Sequence, residues 1–134
     1  MDENQPANFS AIRREGVVLV PDSPAGFGWD VFEEEHDELL FSAAFVPHGE
    51  TDADLRIDQG TGVLAGNEPL RNLYVEALLE LVELGVYLHG FGWLRAVCQD
   101  ANADLRAVLI ESGFEFQRAL KVGGQPGARL RANR

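Results

Sequence analysis

Hydrophobic and polar positions follow one rhythm up to about residue 58 and another beyond it. Residues 12–20, IRREGVVLV, end in a β-branched run that suits a buried strand, and Pro21 stops it. A Gly- and Pro-containing loop, PDSPAGFG, follows. In GWDVFEEE, alternation sets Trp29 and Val31 on one face and Asp30 and Phe32 on the other. The run LLFSAAFV (39–46) alternates only weakly, which predicts a strand covered on both faces. EHDE between these two segments reads as a hairpin turn, making them antiparallel neighbours. PHGETDA then turns the chain into a strand around Asp54 to Asp58, with room to continue, bulged at its glycines, to about Ala65.

Beyond this point the period becomes helical. Asn67 is a good N-cap, and Pro69 is tolerated in a first turn. Leu70, Leu73, Tyr74, Ala77, Leu78, Leu81 and Val82 share one face, opposite Glu76, Glu80 and Glu83. This helix should end before Gly90, or as early as Gly85. GWLRAVC (92–98) reads as a strand. Asn102 caps a second helix with Asp104 in its first turn, Leu105, Val108 and Leu109 as its buried stripe, and Gly113 as its stop. FEFQRALKV (114–122) is a last strand. A β-meander followed by alternating helices and strands predicts an α+β domain: a mixed, mostly antiparallel sheet with helices packed on it. Residues 9–122 form that single domain, and residues 1–8 and 123–134 are expected to be flexible ends, the latter for its Gly-Gly and Pro-Gly pairs.

Charge narrows the partners. The chain of 134 residues has a formal charge of −11 at pH 7. Residues 1–120 carry −15 and the last fourteen +4. Such a balance argues against nucleic acid and anionic membranes, whose binding rests on Lys and Arg. No apolar run is long enough to span a bilayer, and the acidic start MDENQPANFS lacks the features of a secretory signal. Cys98 is the only cysteine, so a reducing, cytoplasmic setting is expected. Cys98 itself reads as a small core residue, since no activating partner is indicated. His36, His48 and His89 stand in no metal-ligand spacing, and no metal site is expected.

The segment from Leu73 to Arg118 resembles the second half of a GNAT (GCN5-related N-acetyltransferase) domain. That family sets a long amphipathic helix before a strand, then an Asn-capped helix, then a Gly-Phe entering the next strand. Here these are LYVEALLELVELG, WLRAVC and NADLRAVLIESGF, with Asn102 and Gly113-Phe114 at the family's spacing. The hairpin and strand over 28–58 fit its β-meander. The resemblance implies a GNAT-like fold with a shortened N-terminal region, because only PDSPAGFG stands where the family's first helices help cover the acceptor site. It also implies acetyl-CoA or another acyl-CoA as cofactor.

Family enzymes hold the CoA pyrophosphate in a loop, Q/R-x-x-G-x-G/A, on exposed N–H groups at the positive end of the long helix. Counting back from Asn102 sets that loop at RNLYVE, 71–76. Arg71 fits its first position, but Tyr74 and Glu76 stand where small residues belong. Gly60, Gly62 and Gly66 lie upstream, in QGTGVLAG. They read either as a displaced pyrophosphate loop or as a bulged strand and turn. Glu68 would repel phosphate there, and Pro69 has no N–H to donate. The resemblance therefore assigns cofactor contacts to Gly60, Gly62, Gly66, Arg71 and Asn102. The family's Tyr general acid corresponds to Leu109, or Ile110 with a one-residue shift, and neither moves a proton. Candidate bases are Asp58, Glu50 and His48, with Asp58 first.

Two functions follow. One is an acyl-CoA-dependent N-acyltransferase acting on a cationic amine. The alternative is a non-catalytic GNAT-like domain that recognises a basic protein surface through the acid of Glu33, Glu34, Glu35, Asp37 and Glu38. A third reading, another small acidic α+β module, is separated by geometry. A GNAT sheet splays between the strands at 54–65 and 93–98, whereas a closed pairing there would reject that fold.

Overall fold

The computed structural model describes residues 10–59 and 64–133. Its elements are β1 (Ile12–Arg14), β2 (Val17–Pro21), β3 (Gly28–Glu33), β4 (Glu38–His48), β5 (Asp52–Gln59), α1 (Glu68–Glu83), a π-helical turn (Leu84–Leu88), β6 (Trp93–Gln99), α2 (Ala103–Glu111), β7 (Glu115–Val122) and β8 (Gln125–Asn133). The strands form one sheet in the order β1-β2-β3-β4-β5-β6-β8-β7. Every neighbouring pair is antiparallel except β5 with β6, which run parallel across the α1 crossover. The α+β class and the mixed, mostly antiparallel sheet are those the sequence pattern predicts.

Three local expectations are corrected. Residues 12–20 are not one strand. Gly16, at φ +86°, turns the chain between β1 and β2, a conformation that glycine alone adopts cheaply. β4 is covered on one face only: Phe41, Ala43 and Phe45 are buried, while Ser42, Ala44 and Val46 are half-exposed. The largest difference is the C-terminus. Residues 125–133 are not a loose tail but β8, hydrogen-bonded between β6 and β7. Gly123 and Gly124, at φ +58° and +80°, make the two-residue hairpin turn that joins β7 to β8. Ala128, Leu130 and Ala132 face the core, and Arg129 and Arg131 alternate with them. The small, basic segment is a half-buried strand whose apolar side is mostly alanine.

α1 begins where its sequence signals predict. The Asn67 side chain accepts from the Leu70 N–H at 3.1 Å, and Pro69 occupies the first turn. Tyr74, Ala77, Leu78 and Leu81 are fully buried, each large apolar side chain contributing roughly 1.5–3 kcal/mol. The Tyr74 hydroxyl donates to the Leu40 carbonyl at 3.0 Å, and its ring stacks on Phe41 at 4.5 Å. Arg14 ties β1 to α1 through Glu76 at 2.8 Å. The helix then widens into the π-helical turn around Gly85, where an added Cβ would lie 2.9 Å from Phe45 and 3.0 Å from Leu94. His89 closes the turn: its Nε2–H donates to the Gly26 carbonyl at 2.7 Å, and its ring stacks with Phe27 and Phe91.

One core cluster joins α1, the π-helical turn, α2 and a single face of the sheet. On the other face Asp30, Ser42, Ala44, Asp54, Arg56, Asp58, Arg95 and Val97 stand half- or fully exposed. Among the described residues no helix lies there. This is the consequence of a short β2–β3 connection that has no helix of its own. No helix among the described residues is long and apolar enough to cross a membrane.

Candidate active site

β5 and β6 pair over three positions only: Asp52 with Trp93, Ala53 with Leu94, and Asp54 with Arg95. Beyond Asp54 the strands part, while β5 stays paired to β4 as far as Gln59 and β6 stays paired to β8 as far as Gln99. The result is a V-shaped cleft of about 380 Å³ lined by Asp54, Leu55, Arg56, Ile57, Arg95 and Val97. An ion pair marks its apex, Asp54 Oδ1 to Arg95 Nε at 3.3 Å. The other Asp54 oxygen meets His48 Nε2 at 2.6 Å. Asp54 is thereby held from both sides at the last rung.

A second cavity, of about 400 Å³, opens on the helix-free face beside the cleft. Three carboxylates reach it. Asp30 comes from β3, Asp58 from β5, and Asp22 from the β2–β3 connection. Ser42, the cross-strand partner of Asp58, donates its hydroxyl to Asp30 Oδ1 at 2.7 Å. Gly28 makes room for Asp22: a Cβ at that position would collide with the Asp22 carboxylate. Arg56 is the one base among the described residues that line this cavity, so its field favours a cation. Arg56 and Ile57 line both cavities, so the two lie side by side.

The residues named from sequence fall in different places. Asp58 is in the acid-lined cavity, on the same face of β5 as Asp54 and Arg56. His48 stands at the cleft apex, whereas Glu50 is exposed in the β4–β5 turn. Gly60 and Gly62 lie outside the described residues. Gly66 forms the turn before α1 at φ +70°. Arg71 lies inside α1 and pairs with Glu111 of α2 at 3.2 Å. Asn102 precedes α2 as its N-cap, without a side-chain capping bond, and its N–H donates to the Gln99 carbonyl at 2.9 Å. Leu109 is fully buried and Ile110 is exposed. Cys98 is buried, with its sulfur against Arg106. Hydrogen bonding to that sulfur, then to Asp100, raises the Arg106 pKa.

Sequence reasoning missed Asp22 and Asp30 as partners of Asp58, and Arg95 as the partner of Asp54. The alternation had set Asp30 on its face; what was lacking was the register that brings Ser42 and Asp58 beside it.

No protein-family model matches the sequence, and no curated protein matches it either. Solved structures do match in three dimensions. A candidate ribosomal-protein-serine acetyltransferase from Vibrio cholerae superposes with a TM-score of 0.73 at 15% identity, over 97% of this chain and 100% of that one. A GNAT-family acetyltransferase from Bacillus anthracis gives 0.69 at 11% identity, over 92% and 98%. A variant of the spermidine N-acetyltransferase from Vibrio cholerae gives 0.59 at 14%, over 79% of this chain and 63% of that one. The fold is therefore that of the GNAT acyltransferases.

This fold implies an acyl-CoA, and its fit divides. The unpaired edges of β5 and β6 offer an extended, amide-bearing arm the main-chain contacts that a strand would find there. The start of α1 does not fit pyrophosphate. The Leu70 N–H is taken by the Asn67 side chain, Pro69 has none, and Glu68 brings a carboxylate into the first turn.

Proposed function

We propose that the chain is an N-acyltransferase that moves an acyl group from a thioester onto a cationic amine. The observation that carries this reading is the adjacency of the splayed cleft and the three-aspartate cavity, which share Arg56 and Ile57 as lining. A thioester arm lying along β5 would present its carbonyl carbon next to an amine held by Asp22, Asp30 and Asp58. Asp58 takes one proton from the bound ammonium, the nitrogen lone pair so freed attacks that carbon, a C–N bond forms and the C–S bond breaks, and the nitrogen's second proton leaves to solvent. The departing sulfur takes its proton from solvent, because α2 offers Leu109 and Ile110 at the position of the family's tyrosine. The acid of the cavity supports a polyamine or another amine with a second positive charge, and the spermidine N-acetyltransferase with this fold supports the same class.

The test is direct. Acetyl-CoA and spermidine are incubated with the protein, and free thiol and acetylated amine are measured. Both should appear in equal amounts, and their absence at millimolar substrates would sink the proposal.

Leu109 and Ile110 also favour a second reading, in which the domain has no chemistry and recognises a basic protein surface through Glu33, Glu34, Glu35, Asp37 and Glu38. That reading predicts a basic partner released when these five are reversed to Lys.

A further inference from the structure

We infer that the start of α1 contributes no pyrophosphate site and that, among the described residues, the acyl donor is held by its pantetheine arm. The inference rests on the acyl-transfer reading and concerns the donor of the same cleft. A helix N-terminus binds phosphate because its first N–H groups lack partners and its dipole is positive. In α1 most of those donors are spent or missing, and of the first four residues only Glu68 keeps an N–H without a hydrogen bond among the described residues. Asn67 Oδ1 accepts from Leu70 at 3.1 Å, the Asn67 carbonyl accepts from Arg71 at 3.0 Å, and Pro69 has no N–H.

The charge around the helix start is also of the wrong sign. The Glu68 carboxylate lies in the first turn. A cavity of about 220 Å³ beside Asn67 and Pro69 is lined by Glu33 and Glu38 of the β3–β4 hairpin. Arg71, the base nearest the helix start on α1, is committed to Glu111 at 3.2 Å. A pyrophosphate would exchange water for three carboxylates and gain from the first turn only the N–H of Glu68.

The arm fares differently. Along Leu55 to Gln59 and Ala96 to Gln99 the strand edges facing the cleft do not pair with each other. Alternating amides and methylenes suit such edges, and Val97, 48% exposed on the cleft wall, offers apolar cover. Among the described residues the donor is thus recognised as an acyl-pantetheine thioester.

The experiment is calorimetric titration of the full chain with acetyl-CoA, S-acetyl-4′-phosphopantetheine and S-acetylpantetheine at one ionic strength. The inference predicts that acetyl-CoA binds no more than fivefold tighter than S-acetylpantetheine. A larger preference for acetyl-CoA overturns the inference and leaves the acyl-transfer reading standing. No binding of any of the three at millimolar concentration overturns both.

Discussion

Asp54 and Arg95 meet at 3.3 Å across the last rung that β5 and β6 share. One step further the sheet has opened. The pair spans the point where a parallel ladder becomes a cleft, with His48 bracing Asp54 from its other side.

Replacing Arg95 with Leu should therefore affect substrate handling more than stability. Both partners are partly solvated, and ion pairs of this kind contribute at most about 1 kcal/mol. Urea unfolding should show a loss within that bound. The KM for the thioester should rise at least fivefold, because the apex no longer has a fixed width.

Truncation after Val122 tests the assignment of β8. Removing it takes Ala128, Leu130 and Ala132 out of the core and strips β6 and β7 of their shared partner. The shortened chain should give no cooperative thermal transition by circular dichroism. A folded product with the parent's melting temperature would return residues 123–134 to the status of a tail.

Tyr74→Phe removes the donor to the Leu40 carbonyl and leaves the stacked ring in place. An unsatisfied buried acceptor costs about 1–3 kcal/mol, which denaturant titration resolves. Gly127→Ala should be at least as costly. Its Cβ would lie 2.6 Å from the Cys98 carbonyl oxygen and 2.6 Å from the Val122 side chain, so β6 or β7 must shift.

His36 provides a pH prediction. Its hydrogen bond with Glu33, then the charges of Glu33, Glu35 and Glu38, raises its pKa above the ordinary 6.5. A raised value means that the folded state favours the protonated ring. The stabilising contribution is complete below the unfolded pKa and fades as pH rises through the folded one. An NMR titration of the His36 ring should give a midpoint above 6.5, and Glu33→Gln should move it back towards that value.

Much of the fold was legible because its signals are local. Asn67, Asn102 and Gly113 mark helix ends, and the alternation of Trp29, Asp30 and Val31 fixes a strand face. β8 was not legible from composition. Its core side is alanine-rich, and Gly123-Gly124 serves equally well in a flexible end and in a hairpin. The site was half legible. Asp58 stands out as a carboxylate on a central strand, but Asp22 and Asp30 reach its cavity only through the β2–β3 connection and the register of β3, β4 and β5. That register is a property of the assembled sheet, and no short segment encodes it.

The most direct test of the account is the rate of spermidine acetylation by the intact protein and by Asp58→Asn, followed by mass spectrometry with acetyl-CoA as donor. The account predicts acetylspermidine in proportion to protein concentration, and a rate about 10²–10⁴-fold lower when the Asp58 carboxylate is lost. Equal rates in the two proteins, or no product from either, would contradict it.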